Sequence, residues 1–188
     1  MDPRATDVLD FWFGDGATAR DEWFRKDPAF DARIRERFGA LVEQALAGTL
    51  VGWDRAPAPA LAQALLLDQF TRNIFRDTPR AFAGDAQALA LARTMVARGD
   101  DMALPPLRRI FVYLPFEHAE DAQAQRESLR LFGALAAAHP ALATFDDYAR
   151  RHAVVIERFG RFPHRNAVLA RPTTPDEAAF LREPGSSF

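Results

Sequence analysis

The sequence predicts an all-α protein, and three observations carry that reading. Apolar residues recur at spacings of three and four along the whole chain, which puts them on one face of a 3.6-residue turn. Alternation with a period of two, the mark of a half-buried strand, is almost absent. The breaks between periodic segments carry helix punctuation, with a capping Asp or Thr ahead of Pro and a Gly after the last periodic residue. The segments number about eight and their connections are short, so antiparallel helical hairpins are expected, within a single domain over residues 1–188.

Each element follows from its own signals. Thr6 or Asp7 reads as the cap of a first helix carrying Val8, Leu9, Phe11 and Trp12, which stops at Gly14. A short helix around Arg20 to Phe24 follows. Asp27-Pro28 reads as N-cap and first helical residue, ahead of a stripe of Phe30, Ile34, Phe38, Leu41 and Ala45 that ends at Gly48. Gly52 to Pro59 reads as a loop leading into a helix from about Ala60 to Phe75. That helix is apolar on nearly every side, which belongs at the centre of a fold. Beyond the Asp77-Thr78-Pro79 turn, Asp85 opens a helix that ends at Arg98-Gly99. Pro105-Pro106 opens another over Leu107 to Leu114, and Pro115 is expected to close it, since proline donates no backbone hydrogen bond.

A long helix runs from Glu120 or Asp121 to His139-Pro140, and a further one from about Phe145 to Phe159, where Gly160 stops it. Thr174-Pro175-Asp176-Glu177 is a capping box with proline at its first helical position, ahead of Phe180-Leu181. No clean repeat of 33, 34 or 40 residues appears.

Composition narrows the function classes. Cysteine is absent, which removes disulfides, thiolate metal sites and cysteine nucleophiles. The net charge is −2, from 24 basic and 26 acidic residues, so no global field invites nucleic acid or anionic lipid. The opening residues carry no signal-peptide pattern and no apolar run reaches 18 residues, so a soluble, cytoplasmic protein is expected. Lys26 is the sole lysine, and a surplus of arginine and alanine fits a GC-rich bacterial genome.

Three polar motifs interrupt the apolar pattern. Asp68-Gln69-Phe70-Thr71-Arg72-Asn73 lies inside the central helix, where Asp68 and Arg72 form an i,i+4 pair and must be hydrogen-bonded if buried. Pro115-Phe116-Glu117-His118 sits at a turn; adjacent residues point apart, so no metal site is expected from Glu117 and His118, and no cofactor motif occurs elsewhere. The richest stretch runs from Arg150 to Asn166, with five arginines and two histidines against Glu157 alone, a local charge near +4. His152 falls on the apolar face of its helix with Val155, Ile156 and Phe159. In the loop beyond, Arg161, His164, Arg165 and Asn166 supply donors suited to a carboxylate or phosphate.

Several runs resemble one family. Phe11-Trp12-Phe13-Gly14, Trp23-Phe24 with Asp27 and Phe30-Asp31, Leu66 to Arg76, Tyr113 to Asp121, and Arg158 to Asn166 are similar, in order, to the motifs of the bacterial domain-of-unknown-function family 924. The family has proline where this chain has Thr71, and a helix accommodates threonine there more easily. The resemblance implies a tetratricopeptide-like right-handed superhelical stack and no activity, the family being uncharacterised.

Three readings of function follow. The first is a module that binds a small anion or a peptide carboxylate through Arg158, Arg161, Arg165 and Asn166, with His164 tuning charge, Asp68 and Arg72 holding the wall and Asn73 a further candidate; a homo-oligomer is compatible with it. The second is a hydrolase- or lyase-type enzyme with Glu117, His118, His152 or His164 as base and arginines stabilising negative charge. The third is a scaffold in which these arginines bridge the protein's own carboxylates, Asp68, Glu117 and Asp121 among them.

Overall fold

The computed structural model describes residues 2–16 and 18–186. Among them no strand occurs, and eight helical rods are joined through single 3-10 turns except between the rods Pro106–Glu117 and Ala122–Ala138, which follow one another directly. Helix α1 (Pro3–Phe13) begins ahead of the predicted cap: the Asp2 carboxylate accepts from the Arg4 backbone N–H at 2.9 Å, and Pro3 takes the first helical position. Thr6 and Asp7 therefore lie within the helix, because Asp2-Pro3 supplies the same start signal as Asp27-Pro28. The predicted short helix at Arg20 to Phe24 is one 3-10 turn, Asp21–Trp23. Helix α2 (Pro28–Leu46) starts as expected, with the Asp27 carboxylate accepting from the Ala29 and Phe30 backbone N–H groups.

The central rod starts at Pro57, three residues before the predicted Ala60, because proline in a first turn forfeits no helical hydrogen bond. It comprises α3 (Pro57–Leu65), a π-helical turn at Leu66–Phe70, and α4 (Thr71–Ile74). The Thr71 hydroxyl donates to the Leu67 carbonyl at 2.8 Å, and Arg72 Nη1 donates to the Asp68 carbonyl at 2.7 Å, so side chains serve carbonyls of the widened turn. Gly84 packs against that turn: a Cβ there would fall 2.2 Å from the Leu67 carbonyl oxygen. Its φ of −92° is ordinary, so the demand for glycine is one of space.

Helix α5 (Asp85–Arg98) ends at Gly99 with φ 74°. Helix α6 (Pro106–Glu117) corrects one expectation, since Pro115 lies inside it and does not close it. Proline forgoes a single backbone bond, the one to the carbonyl four residues earlier, and the helix runs on; its last carbonyls, orphaned as at any helix end, find a side-chain donor. That donor is Gln125 Nε2, bonded to the Phe116, Glu117 and Ala119 carbonyls at 3.3, 2.7 and 2.8 Å.

The chain divides into two compact units. The first comprises residues up to Arg76 together with Arg80–Pro115. Its core is the central rod, with Leu61, Leu65, Leu66 and Phe70 fully buried, as the all-round apolar pattern predicts. Trp12, Phe30, Phe38 and Phe111 join Phe70 in a continuous cluster of rings, and Trp23 Nε1 donates to the Trp12 carbonyl at 2.9 Å. Each such buried side chain contributes about 1.5–3 kcal/mol.

The second unit comprises Asp77–Pro79 and the residues from Phe116 onward. Helices α7 (Ala122–Ala138) and α8 (Ala143–Phe159) pack along their length as a hairpin, and α9 (Pro175–Phe180) follows. Asp121 is the N-cap of α7, accepting from the Ala124 N–H at 2.7 Å. Thr174 and Glu177 make the predicted capping box of α9. Val155, Ile156 and Phe162 form a small core here, covered by Phe159 and Phe180.

Candidate functional site

Of the three polar motifs, the first is a set of internal ties within the first unit. Asp68 is buried and meets Arg72 Nη1 at 3.0 Å and Gln69 Nε2 at 2.6 Å. Arg72 forks onto both oxygens of Asp85, at 2.8 and 3.0 Å. Burial alone would lower Arg72, but Asp68 and Asp85 hold it above its ordinary range. One turn on, Asn73 donates to Asp31 at 2.7 Å, and Arg76 clasps the same carboxylate at 2.8 and 2.9 Å. Asp68, Arg72 and Asn73 thus bind the central rod to α2 and α5.

The other two motifs meet in the second unit, where the end of α6, helix α8 and the loop after it supply the groups. Glu117 and His152 are both buried, and Glu117 Oε1 lies 3.1 Å from His152 Nδ1. The same nitrogen stands 2.9 Å from the Tyr148 carbonyl, so Nδ1 carries the proton and donates. Burial, then His118, push His152 down to about 3, with Arg165 and His164 adding to the effect and the Tyr148 carbonyl opposing it. Held neutral, His152 meets Glu117 without forming an ion pair.

Phe162 is the hub. Its ring centroid is 5.5 Å from that of His152 and 5.6 Å from that of His164, and the Arg165 guanidinium carbon sits 4.6 Å over its face. His118 completes the group, 6.1 Å from His152 between ring centroids, and its carbonyl accepts from Arg165 Nη2 at 3.0 Å. Three of the chain's four histidines thus gather with one arginine. His152 and Arg165 are buried, whereas His118 and His164 are half-buried. Burial and the charge of Arg165 hold His164 at about 4, against the opposite pull of Glu120. Among the described residues, no three His, Asp or Glu side chains come together as a metal-binding group.

A second cluster ties the same loop down. Arg161 forks onto Glu177 at 2.6 and 2.9 Å, and Asn166 Nδ2 donates to Glu177 at 3.2 Å. Arg161 and the Thr174 backbone hold that carboxyl down at about 2. Glu120 accepts from the Phe162 backbone N–H at 2.7 Å and from Arg171 at 2.6 and 2.9 Å. Burial would raise Glu120, but these donors keep it below its usual range. Arg158 stands apart, exposed over the rings of Phe159 and Phe180 at 4.6 and 5.8 Å.

Of the candidates read from the sequence, Glu117, His118, His152, His164 and Arg165 converge, whereas Arg161 and Asn166 belong to the tie and Arg158 to the surface. Phe162, Arg171, Glu177 and Gln125 complete the arrangement without having been singled out for it. Arg171 lies outside the basic stretch, and its bond to Glu120 spans 51 residues, so no local pattern announces it.

The class defined by this geometry is an all-helical protein with a histidine–arginine cluster built around one phenylalanine. Residues 8–185 match the model of a family described as bacterial protein of unknown function (DUF924), and the chain belongs to that family. It is similar to a solved protein of unknown function, ATU0120 from Agrobacterium tumefaciens, at 41% identity over 96% of this chain and 97% of that one, with a TM-score of 0.87. No curated protein matches the chain. No helix of the described residues is long and apolar enough to cross a membrane.

Proposed function

We propose that the protein is a binding module for a small anion, a free carboxylate or a phosphate-type group, held by His118, His164 and Arg165. One observation carries this reading: imidazoles from the end of α6, from α8 and from the following loop gather with a buried guanidinium around Phe162. An arginine offers fixed charge and a planar fork, and half-buried imidazoles add donors that strengthen in a low-dielectric setting. Arg161 and Asn166 leave the donor set because Glu177 engages them. The scaffold reading applies to that tie, in which Glu177 and Glu120 are carboxylates engaged by arginines. Tetratricopeptide-like stacking remains the proposed architecture, supported by the α7–α8 hairpin.

The test is a thermal-shift series with sulfate, phosphate, acetate and succinate on the wild type, His164→Ala and Arg158→Ala. An anion is expected to raise Tm in the wild type and in Arg158→Ala, and to lose most of that effect in His164→Ala. A shift of equal size in all three proteins, or none with any anion, refutes the proposal.

A further inference from the structure

We infer that the histidine–arginine cluster takes up its anion together with a proton at His164, so that affinity climbs as the solution becomes more acidic. This rests on the reading that the cluster binds an anion. The argument starts from crowding: Arg165 and His152 lie on the ring of Phe162 with His164, and His118 lies beside His152.

Each neighbour of His164 acts on its proton. On its own 3-10 turn, Pro163–Arg165, the charge of Arg165 repels one. From the end of α6, His118 opposes it, as does Arg171 from the segment before α9. Across Phe162, His152 on α8 is buried and is held neutral. Glu120 attracts the proton, with Arg171 already engaging both its oxygens, and from the end of α6 the buried Glu117 faces His152 at 3.1 Å. The cluster therefore holds His164 down at about 4.

An anion beside Arg165 cancels the field that expels the proton. The imidazole then takes one from solvent and offers the anion a charged donor. His164 is the acceptor because it is half-buried, whereas His152 is buried with Nδ1 donating to the Tyr148 carbonyl. The sign follows from linkage: binding raises the His164 pKa, so affinity grows as pH falls through the bound-state value and levels off below the free value near 4.

Sodium sulfate is the probe, since its charge is constant across the range. Calorimetric titrations of the full chain at pH 8 and pH 5, in buffers of different ionisation enthalpy, are expected to show uptake approaching one proton per sulfate at pH 5 and less at pH 8. Affinity should rise by up to about tenfold per pH unit. His164→Gln should bind sulfate more weakly than the wild type and with the same affinity at both pH values. In the wild type, the His164 ring resonance should titrate at higher pH with sulfate than without, a readout that needs no variant. Sulfate binding with no proton uptake and equal affinity at both pH values overturns this inference and leaves the binding reading intact. An unchanged pH dependence in His164→Gln also overturns it. Failure of sulfate and of acetate to bind at either pH removes both.

Discussion

At the scale of single residues, burial decides what each polar group does. Asp31 is buried and takes three hydrogen bonds, one from Asn73 and two from Arg76. Asp31→Ala removes the buried carboxylate that holds an amide and a guanidinium together, so it should cost about 3 kcal/mol, measured by urea denaturation. His152 and His164 set the response to acid. Their folded values, about 3 and about 4, lie below the ordinary 6.5, so the unfolded chain binds more protons below that pH. Stability should be flat above pH 7 and fall steadily from about pH 6.5 to pH 4, and the fall should be shallower in His164→Gln. A wild-type Tm unchanged between pH 7 and pH 4.5 would contradict the neutral assignment. Such residues were readable from sequence as polar and out of place, but their partners were not. His152 on an apolar face was foreseeable from spacing alone, whereas Arg165 beneath His118 depends on a bond across 47 residues.

At the scale of the helix, local chemistry is read well and tertiary fit is not. The Asp27-Pro28 start and the Thr174 box both stand in the structure, because a cap is settled within four residues. Thr174→Ala should therefore lower stability by about 1 kcal/mol, as seen in chemical denaturation. The π turn has no such local signature. It depends on a backbone neighbour, and Gly84 is where that dependence is tested. Gly84→Ala drives a Cβ to 2.2 Å from the Leu67 carbonyl oxygen, so helix α5 or the turn must shift. The expected loss is about 3 kcal/mol, at the upper end for overpacking, even though alanine favours helix more than glycine does. A Gly84→Ala protein as stable as the wild type would show that the turn yields easily. The expectation that Pro115 closes its helix fails on similar grounds: proline removes one backbone bond, and the helix continues through it to Glu117.

At the scale of the whole molecule, we propose that the chain unfolds as a single domain. The family model runs across both compact units, over residues 8–185. Thermal unfolding followed by tryptophan fluorescence and by far-UV circular dichroism should then give coincident transitions. Trp12, Trp23 and Trp53 all belong to the first unit, so a circular dichroism melt that lags the fluorescence melt would reveal two independently folding parts. The all-helical class was legible because it depends on periodicity, which every turn of the chain repeats. The histidine–arginine cluster was legible only as unassembled pieces, since Glu117-His118 and the basic stretch are brought together by packing that no single segment encodes.

The tie between Glu120 and Arg171 also has a history in time. Glu120 leaves the ribosome before its partner has been made, and 51 residues separate the two. At roughly 5–20 residues per second, the acid waits about 3–10 s in water as an ordinary carboxylate. During that interval the Phe162 loop is also unmade, so the imidazole of His118 is present without its companions. The first unit has its whole sequence by then, and the second must close afterwards, around a charge that translation leaves exposed.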